Sequence, residues 1–514
     1  MHNKTDGQNL KKLQNLNAPE LVSLVTTLEE ERESLISQVG ELAMELKNLK
    51  KQNSDLHRRV VINHKTGLPN HVKANEDINK LLDNRLEQDD MSPIAFILVK
   101  LNENFEAINK ALKPTISEWV LYQIGVRLTE LSGLENIVYH TREDEFLIVY
   151  QNIRDESRLH MFLQLLNEEL KRPHIFSGYN ISMDSSCGIS LFPKHGLERN
   201  TLLHNSDIAL SYAFKQHFSY TIFTEEISNL VIQKMELQNS IIKALEKQAI
   251  KELDKQFYLN YQPIITIEVN TKSFTVVDVK AESLIRWNHP EKGSIKPDDF
   301  IPLAEETGLI IPLGNWVLFR AARQLQNWHN RNFNDIQISV NVSPRQFYNP
   351  ELVETFKRMI ETYDIDPADL KIELTENSLI DNPVNAISKL NQLREAGFHI
   401  SLDDFGTGYS SLNYLKDLPV DTVKIDKSFV DKVHNSSLDQ SILKGILYFI
   451  RELNLDLIVE GVETLEQLKS LIEMGCRTFQ GYYFSSALSE DDFINYRQKI
   501  LGKKFNVRSS NLTD

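Results

Sequence analysis

Five carboxylates, two amides and one lysine stand where short apolar runs end between Val277 and Gln480. They are Glu282, Asn341, Glu373, Asp403 with Asp404, Lys424, Glu460 and Gln480. Their spacing of roughly 20 to 60 residues is the stride of a strand, a helix and the next strand. Side chains placed at strand ends with that stride collect at one mouth of a barrel. Parity sharpens the reading, because successive side chains of a strand point to opposite faces. Leu370, Ile372 and Leu374 leave Glu373 on the other face; Ile400 and Leu402 oppose Asp403, Val423 and Ile425 oppose Lys424, and Val277, Val279 and Ala281 oppose Glu282. With the apolar parity turned to surrounding helices, these four polar side chains point inward. Five carboxylates beside one lysine leave an excess of negative charge whose burial is costly unless cations neutralise it. The set predicts bound metal, and oxygen-only ligands favour Mg²⁺ or Mn²⁺ over zinc.

The elements that hold this mouth belong to a longer chain. Its 514 residues predict about three folding units, each able to bury its own core. The formal charge of −15 argues against a nucleic-acid polymer as partner. Two cysteines, Cys187 and Cys476, offer neither a disulfide framework nor a zinc site, which fits a reducing compartment. Apolar runs such as Ile94–Val99 and Gly308–Gly314 fall short of the ~18 residues of a membrane span. The amino-terminal residues lack the apolar core of a secretory signal. A cytoplasmic protein is expected.

From Pro19 to about Val60 the pattern is heptad. Leu21, Leu28, Leu35, Leu42, Leu49 and Leu56 fall on every seventh residue, and Val25, Val39, Leu46 and Val60 fill the alternate seam. This predicts a parallel two-stranded coiled coil, with Arg32 and Asn53 interrupting the second seam and Glu45 and Lys50 spaced for a cross-chain ion pair. A single amphipathic helix packed on its own domain is the plainer alternative.

The segment from about Ile62 to Glu226 alternates strand and helix patterns, with turn signals at Thr66–Pro69 and Phe192–Gly196. Its blocks TGLPN (Thr66–Asn70), FEAIN (Phe105–Asn109), DEF (Asp144–Phe146), SCGIS (Ser186–Ser190) and SDIAL (Ser206–Leu210) resemble those of the GGDEF family of diguanylate cyclases. The family's glycine pair is replaced by Arg142 and Glu143, and Lys100 stands where the first metal-binding Asp is expected. Gly133 and Asn136 occupy the feedback-inhibition positions. The resemblance therefore implies a degenerate domain with a structural or regulatory role, residual GTP binding being the open alternative.

After an amphipathic connector carrying Met235, Leu237, Ile241, Ile242 and Leu245, the chain from about Phe257 to Leu488 resembles the EAL family of cyclic di-GMP phosphodiesterases. The blocks are ESL (Glu282–Leu284) followed by Arg286–Pro290, NVS (Asn341–Ser343), ELTE (Glu373–Glu376), DDFGTGYSSL (Asp403–Leu412), VKID (Val423–Asp426), EGVE (Glu460–Glu463) and QGYYF (Gln480–Phe484). The resemblance implies two divalent ions, Mg²⁺ or Mn²⁺. Glu282, Asn341, Glu373 and Asp403 would hold the first, and Asp403 would bridge to the second with Asp404; Glu460 would reach the second directly or through water. Lys424 would orient the attacking water, accept its proton or stabilise transition-state charge. Arg286 would contact a phosphate, and Gln262 and Gln480 the guanine or the site's own order. Glu376 and Glu463 would anchor the DDFGTG loop, Thr407-Gly408-Tyr409 would let it move, and His289 would be a packed loop residue. Ser283 for the usual Ala, Arg477 for a frequent Asp and Ala487-Leu488 for a Lys/Arg-Pro ending are departures at the rim.

These readings predict a multidomain α/β protein: a flexible N-terminus over 1–18, a coiled coil over 19–61, an α/β nucleotidyl-cyclase-like (GGDEF) domain over 62–226, a (β/α)8 TIM-like barrel (EAL) over 227–500, and a flexible tail over 501–514. The expected activity is hydrolysis of cyclic di-GMP to pGpG in a homodimer joined through coiled coil and barrel. A receptor that binds the dinucleotide without cutting it is the alternative. From barrel chemistry alone, enolate-forming proton abstraction is a third reading.

Overall fold

The computed structural model describes residues 18–101, 105, 114–151, 153, 155–176, 179–250, 256–270, 273–380, 383–406 and 415–506. Most of the expected flexible ends, most of the FEAIN block and the Thr407-Gly408-Tyr409 segment lie outside the described residues. The chain divides into two compact units, Met1–Ile232 and Gln233–Asp514.

The first unit opens on a helix of 44 residues, Ala18–Val61, about 66 Å long at 1.5 Å per residue. Its seam residues Val25, Leu28, Leu35, Val39, Leu42, Leu46, Leu49 and Val60 are each more than half exposed. The sheet that follows is built from β1 (Ile94–Leu101), β2 (Ile137–Arg142), β3 (Glu145–Tyr150), β6 (Ser185–Phe192) and β7 (Tyr220–Ile222), in the order β2-β3-β1-β6-β7; a two-stranded hairpin of β4 (His174–Phe176) and β5 (Tyr179–Ile181) stands beside it. Both faces are covered, so β1 reads as an almost unbroken apolar run. Ala95, Ile97 and Val99 pack with Val120, Leu121 and Leu163, while Ile94, Phe96 and Leu98 pack with Ile78, Leu82 and Leu210. The block SCGIS owes its glycine to close approach: a Cβ on Gly188 would lie 2.1 Å from the backbone N of Leu210. Ser206, on the same helix as Leu210 (Arg199–Lys215), ties the layers together, with its hydroxyl 3.0 Å from the Phe96 carbonyl and 2.8 Å from the Ser190 hydroxyl.

The second unit is a closed barrel of eight strands. These are β8 (Phe257–Asn270), β9 (Ser273–His289), β11 (Ile338–Asn341), β12 (Leu370–Thr375), β13 (His399–Phe405), β14 (Thr422–Ile425), β15 (Asp456–Val459) and β16 (Thr478–Phe479), with β10 (Gly293–Ile295) extending β9 outside the ring. Neighbours from β9 to β16 run parallel, but β8 is antiparallel to both β9 and β16. The ring is thus closed by a hairpin strand, a departure from an all-parallel barrel. Leu370, Ile372 and Leu374 join the apolar core outside the ring, as parity predicts. Val277 does not: the β8–β9 register slips at Thr266/Ile267, and the extra residue of that bulge leaves Val277 47% exposed. Part of the segment expected as a flexible tail is also a strand. Lys504–Asn506 pairs antiparallel with β9, because Phe505 buries its ring against Phe274 at 5.4 Å.

In the connector, Ile241 and Ala244 are fully buried against Phe257, Trp287 and Phe300, and Leu237 and Leu245 pack on the same cluster. Met235 and Ile242 on the helix's other side are exposed.

Candidate active site

Lys424 is the centre of the barrel mouth. Its side chain is 1% exposed, and its Nζ lies 2.6 Å from Glu460 Oε1, 2.8 Å from Glu373 Oε2, 3.3 Å from Glu282 Oε2 and 3.4 Å from Asp403 Oδ1. Five strands therefore deliver one ammonium and four carboxylates to a single point. Around Glu282, Asn341 Nδ2 donates to Oε1 at 2.7 Å and Gln480 Nε2 to Oε2 at 2.6 Å.

Asp404 enters by a different device. Alternation alone would turn it toward the helices, on the opposite face from Asp403. The β13–β14 register breaks between Leu402 and Phe405, and Asp404 takes a left-handed φ of 53°, a conformation uncommon for a residue bearing a Cβ. The irregularity returns its carboxylate to the mouth, where oxygens of Asp403, Asp404 and Glu460 lie within 4.8 Å of one another.

Electrostatics divide the carboxylates. Burial opposes ionisation of Glu282, but Lys424, Gln480 and Asn341 outweigh it and hold this carboxyl below the usual range. Glu373 is pushed up to about 7 and Glu460 to about 8, in both cases chiefly by burial. Asp404 is pushed up by burial and by Asp403 beside it. Burial would lower Lys424, yet Glu282, Glu373, Glu460 and Asp403 keep its ammonium well above the ordinary lysine range. Burial thus opposes the charged forms of Glu373, Glu460 and Asp404, a cost that bound cations would offset. Glu373 Oε1 is buried with no hydrogen-bond partner among the described residues. An all-oxygen donor set with excess negative charge and an unpartnered carboxylate oxygen fits hard divalent cations.

The remaining candidates lie around this centre. Gln262, with Nε2 3.4 Å from the Ser485 carbonyl, lines a cavity of about 340 Å³ together with Glu282, Asp403, Glu460 and Gln480. Arg286 donates to the Ile285 carbonyl at 2.9 Å and lines a second cavity of about 230 Å³. Asn341 and Leu284 line both cavities. Glu376 accepts from the Gly406 backbone N at 3.3 Å and Glu463 pairs with Lys427 at 2.6 Å; neither reaches Lys424. His289 packs on Trp287 and accepts from the backbone N of Glu291 and Lys292. Arg477 donates to the Ile472 and Cys476 carbonyls, at a helix end. Among the residues lining the mouth that the sequence assigns no role are Lys427 and Tyr482. They follow VKID and sit within QGYYF, so position next to a strand-end block was the available signal.

In the first unit the β2–β3 hairpin turns at Glu143-Asp144, with Arg142 opposite Glu145. Lys100 Nζ lies 3.9 Å from Asp144 Oδ2. Arg142 reaches Glu145 at 3.4 Å and Asp207 at 4.0 Å. Asn136 is held structurally, accepting from Gln151 N at 2.8 Å and donating to the Ser132 carbonyl at 2.6 Å.

Known proteins resemble this chain in both units. Residues 243–487 match the EAL domain, and residues 60–219 match the diguanylate cyclase, GGDEF domain. The cyclic di-GMP phosphodiesterase PdeR of Escherichia coli is 30% identical over 438 residues, which are 85% of this chain and 63% of PdeR. The bifunctional diguanylate cyclase/cyclic di-GMP phosphodiesterase MucR of Pseudomonas aeruginosa is 30% identical over 448 residues, 87% of this chain and 63% of MucR. The chain thus spans less than two thirds of the length of these relatives. A solved structure described as PaMucR phosphodiesterase in a c-di-GMP complex is 36% identical, covers 50% of this chain and 99% of its own, and superposes with a TM-score of 0.45. No helix among the described residues is long and apolar enough to cross a membrane. The chain carries a GGDEF domain and an EAL domain in tandem.

Proposed function

We propose that the barrel hydrolyses cyclic di-GMP to linear pGpG with the aid of two Mg²⁺ or Mn²⁺ ions, and that the GGDEF domain is structural or regulatory. The observation that carries this reading is the convergence of Glu282, Glu373, Asp403 and Glu460 on Lys424, with Asn341 and Asp404 alongside. Glu282, Asn341, Glu373 and Asp403 would hold one ion; Asp403, Asp404 and Glu460 would hold the other. Bound there, the ions would acidify a water and neutralise charge on the phosphate.

The chain's own groups supply the rest. Asn341 and Gln480 fix the Glu282 carboxylate through its two oxygens. Lys424 presents a buried cationic donor where phosphate charge would build up. Arg286 at the edge of the second cavity suits a phosphate oxygen, and the Gln262 amide faces the cavity where substrate would lie. Similarity to proteins named as cyclic di-GMP phosphodiesterases supports the substrate.

In the GGDEF domain, Lys100 puts an ammonium beside Asp144 where a divalent ion would have to sit, and Arg142 bears a side chain where the family has glycine. These features support a domain without cyclase activity.

Chromatography of the full chain with cyclic di-GMP, with and without Mg²⁺ or Mn²⁺, tests the reading. Metal-dependent pGpG is the expected product. Retention of uncut dinucleotide under all conditions would leave a receptor instead.

A further inference from the structure

The parity that turns the mouth residues inward places a second tier of side chains beneath them. One step down each strand, Lys280 lies under Glu282, Lys371 under Glu373 and Thr422 under Lys424. Val279, Ala281, Leu370 and Ile372 belong to the apolar core outside the ring, so the two lysines between them face in. The carboxylates of the mouth are thus seated on a tier that carries positive charge.

Lys371 is the buried member, 7% exposed. Its Nζ donates to the Thr422 hydroxyl at 2.9 Å, and among the described residues no carboxylate pairs with it. Lys424 above is matched by four carboxylates; Lys371 is matched by a neutral hydroxyl. Lys280 is 35% exposed and leans toward Asp278 at 3.8 Å. Burial, then the like charge of Lys280, draws Lys371 below the ordinary lysine range, while Glu373, Asp456 and Asp421 act the other way. Lys371 and the mouth carboxylate Glu373 therefore act on each other through the barrel interior.

Two residues of strand, about 7 Å, separate them, and charges in an interior are screened far less than in water. At that range an ammonium attracts the carboxylates above it and repels any divalent cation they hold. Both effects act in one direction: the empty carboxylate tier is stabilised and the metal-filled one is not.

We propose that Lys371, with Lys280 beside it, is a positioning residue for the metal site, acting through Glu373 and the mouth carboxylates to weaken their hold on divalent ions. Occupancy, and with it hydrolysis, then follows the free concentration of the ion. The inference rests on the metal-dependent reading above.

The test titrates the full chain, stripped with EDTA and exchanged into metal-free buffer, with Mn²⁺ in a calorimeter. Beside it are Lys371→Met and Lys371→Gln, which remove the charge and keep much of the stem, and Glu282→Ala, whose residual heat identifies binding outside the barrel mouth. The Mn²⁺ Kd at the mouth should fall roughly 10-fold, and at least about 3-fold, in both Lys371 variants. Damage to the barrel would raise Kd, so the sign separates a charge effect from a packing one. Lys280→Met, at a partly exposed position, should tighten Mn²⁺ by about twofold at low salt and lose that gain at high salt. It carries the test if neither Lys371 variant folds, and an unchanged or raised Kd there then overturns the proposal. An unchanged or raised Kd in folded Lys371 variants overturns it and leaves the two-ion reading standing. A full chain that takes up no Mn²⁺ at the mouth overturns both.

Discussion

Glu282 and Asp144 are both acidic residues in family blocks, but their surroundings predict opposite consequences of removal. Glu282 accepts from Lys424, Asn341 and Gln480, so Glu282→Ala would leave three donors, Lys424 and Gln480 among them buried, without their common acceptor and the first ion without a ligand. Hydrolysis should fall by at least about 10²-fold. Asp144 faces Lys100 in the other unit, and Asp144→Ala should leave pGpG formation within about twofold. Chromatography of products from both variants checks the pair, and near-normal turnover by Glu282→Ala would show that the metal site lies elsewhere. Lys424→Met keeps much of the stem volume and removes the ammonium from among four carboxylates. Turnover should drop by roughly 10²-fold or more, with dinucleotide affinity much less affected. An equal loss of both would mean that Lys424 only holds the barrel interior together.

At the scale of elements, the β4–β5 hairpin carries a charge that the fold excludes. His174, the first residue of β4, is 1% exposed, packs edge-on against Trp119 at 6.3 Å, and neither ring nitrogen has a partner among the described residues. Burial, with Arg127 nearby, pushes it down to about 4, below the ~6.5 of an unfolded chain. As pH falls through 6.5 the unfolded state takes up this proton first, so the neutral histidine's contribution is complete above that pH and is lost on the way to 4. Over that window the melting temperature should drop by about 2–4 °C more in the unmodified chain than in His174→Gln; calorimetric scans at pH 7, 6, 5 and 4 would compare them, and parallel slopes would reject the argument. Periodicity makes other elements legible in the sequence. The alternation around Glu373, Asp403 and Lys424 placed three side chains at one point because regular strands obey a period of two. It was silent where regularity breaks: the bulge exposing Val277, the left-handed turn that swings Asp404 inward, the antiparallel course of β8 and the strand at Lys504–Asn506. Each depends on a partner distant in sequence, such as Phe274 for Phe505, and no local pattern records it.

For the whole molecule, the helix Ala18–Val61 is the feature that its own unit leaves unexplained. Leu28, Leu35, Leu42 and Leu49 all face solvent in the single chain, and burial of such a seam in a second copy would stabilise the pair by roughly 25 cal/mol per Å² of apolar surface removed from water. A parallel coiled coil would raise the effective concentration of the units that follow, against the self-repulsion of chains carrying −15 each. Removing residues 1–60 takes away none of the carboxylates, amides or the lysine gathered at the barrel mouth, so the remaining chain should fold. It should dissociate more readily, and if pairing of two barrels supports catalysis, its specific activity should fall on dilution while that of the full chain holds. Light scattering and initial rates over one concentration series from micromolar to nanomolar would read both quantities. A truncated chain that is monomeric throughout yet fully active would separate the seam from catalysis and leave it a tether alone.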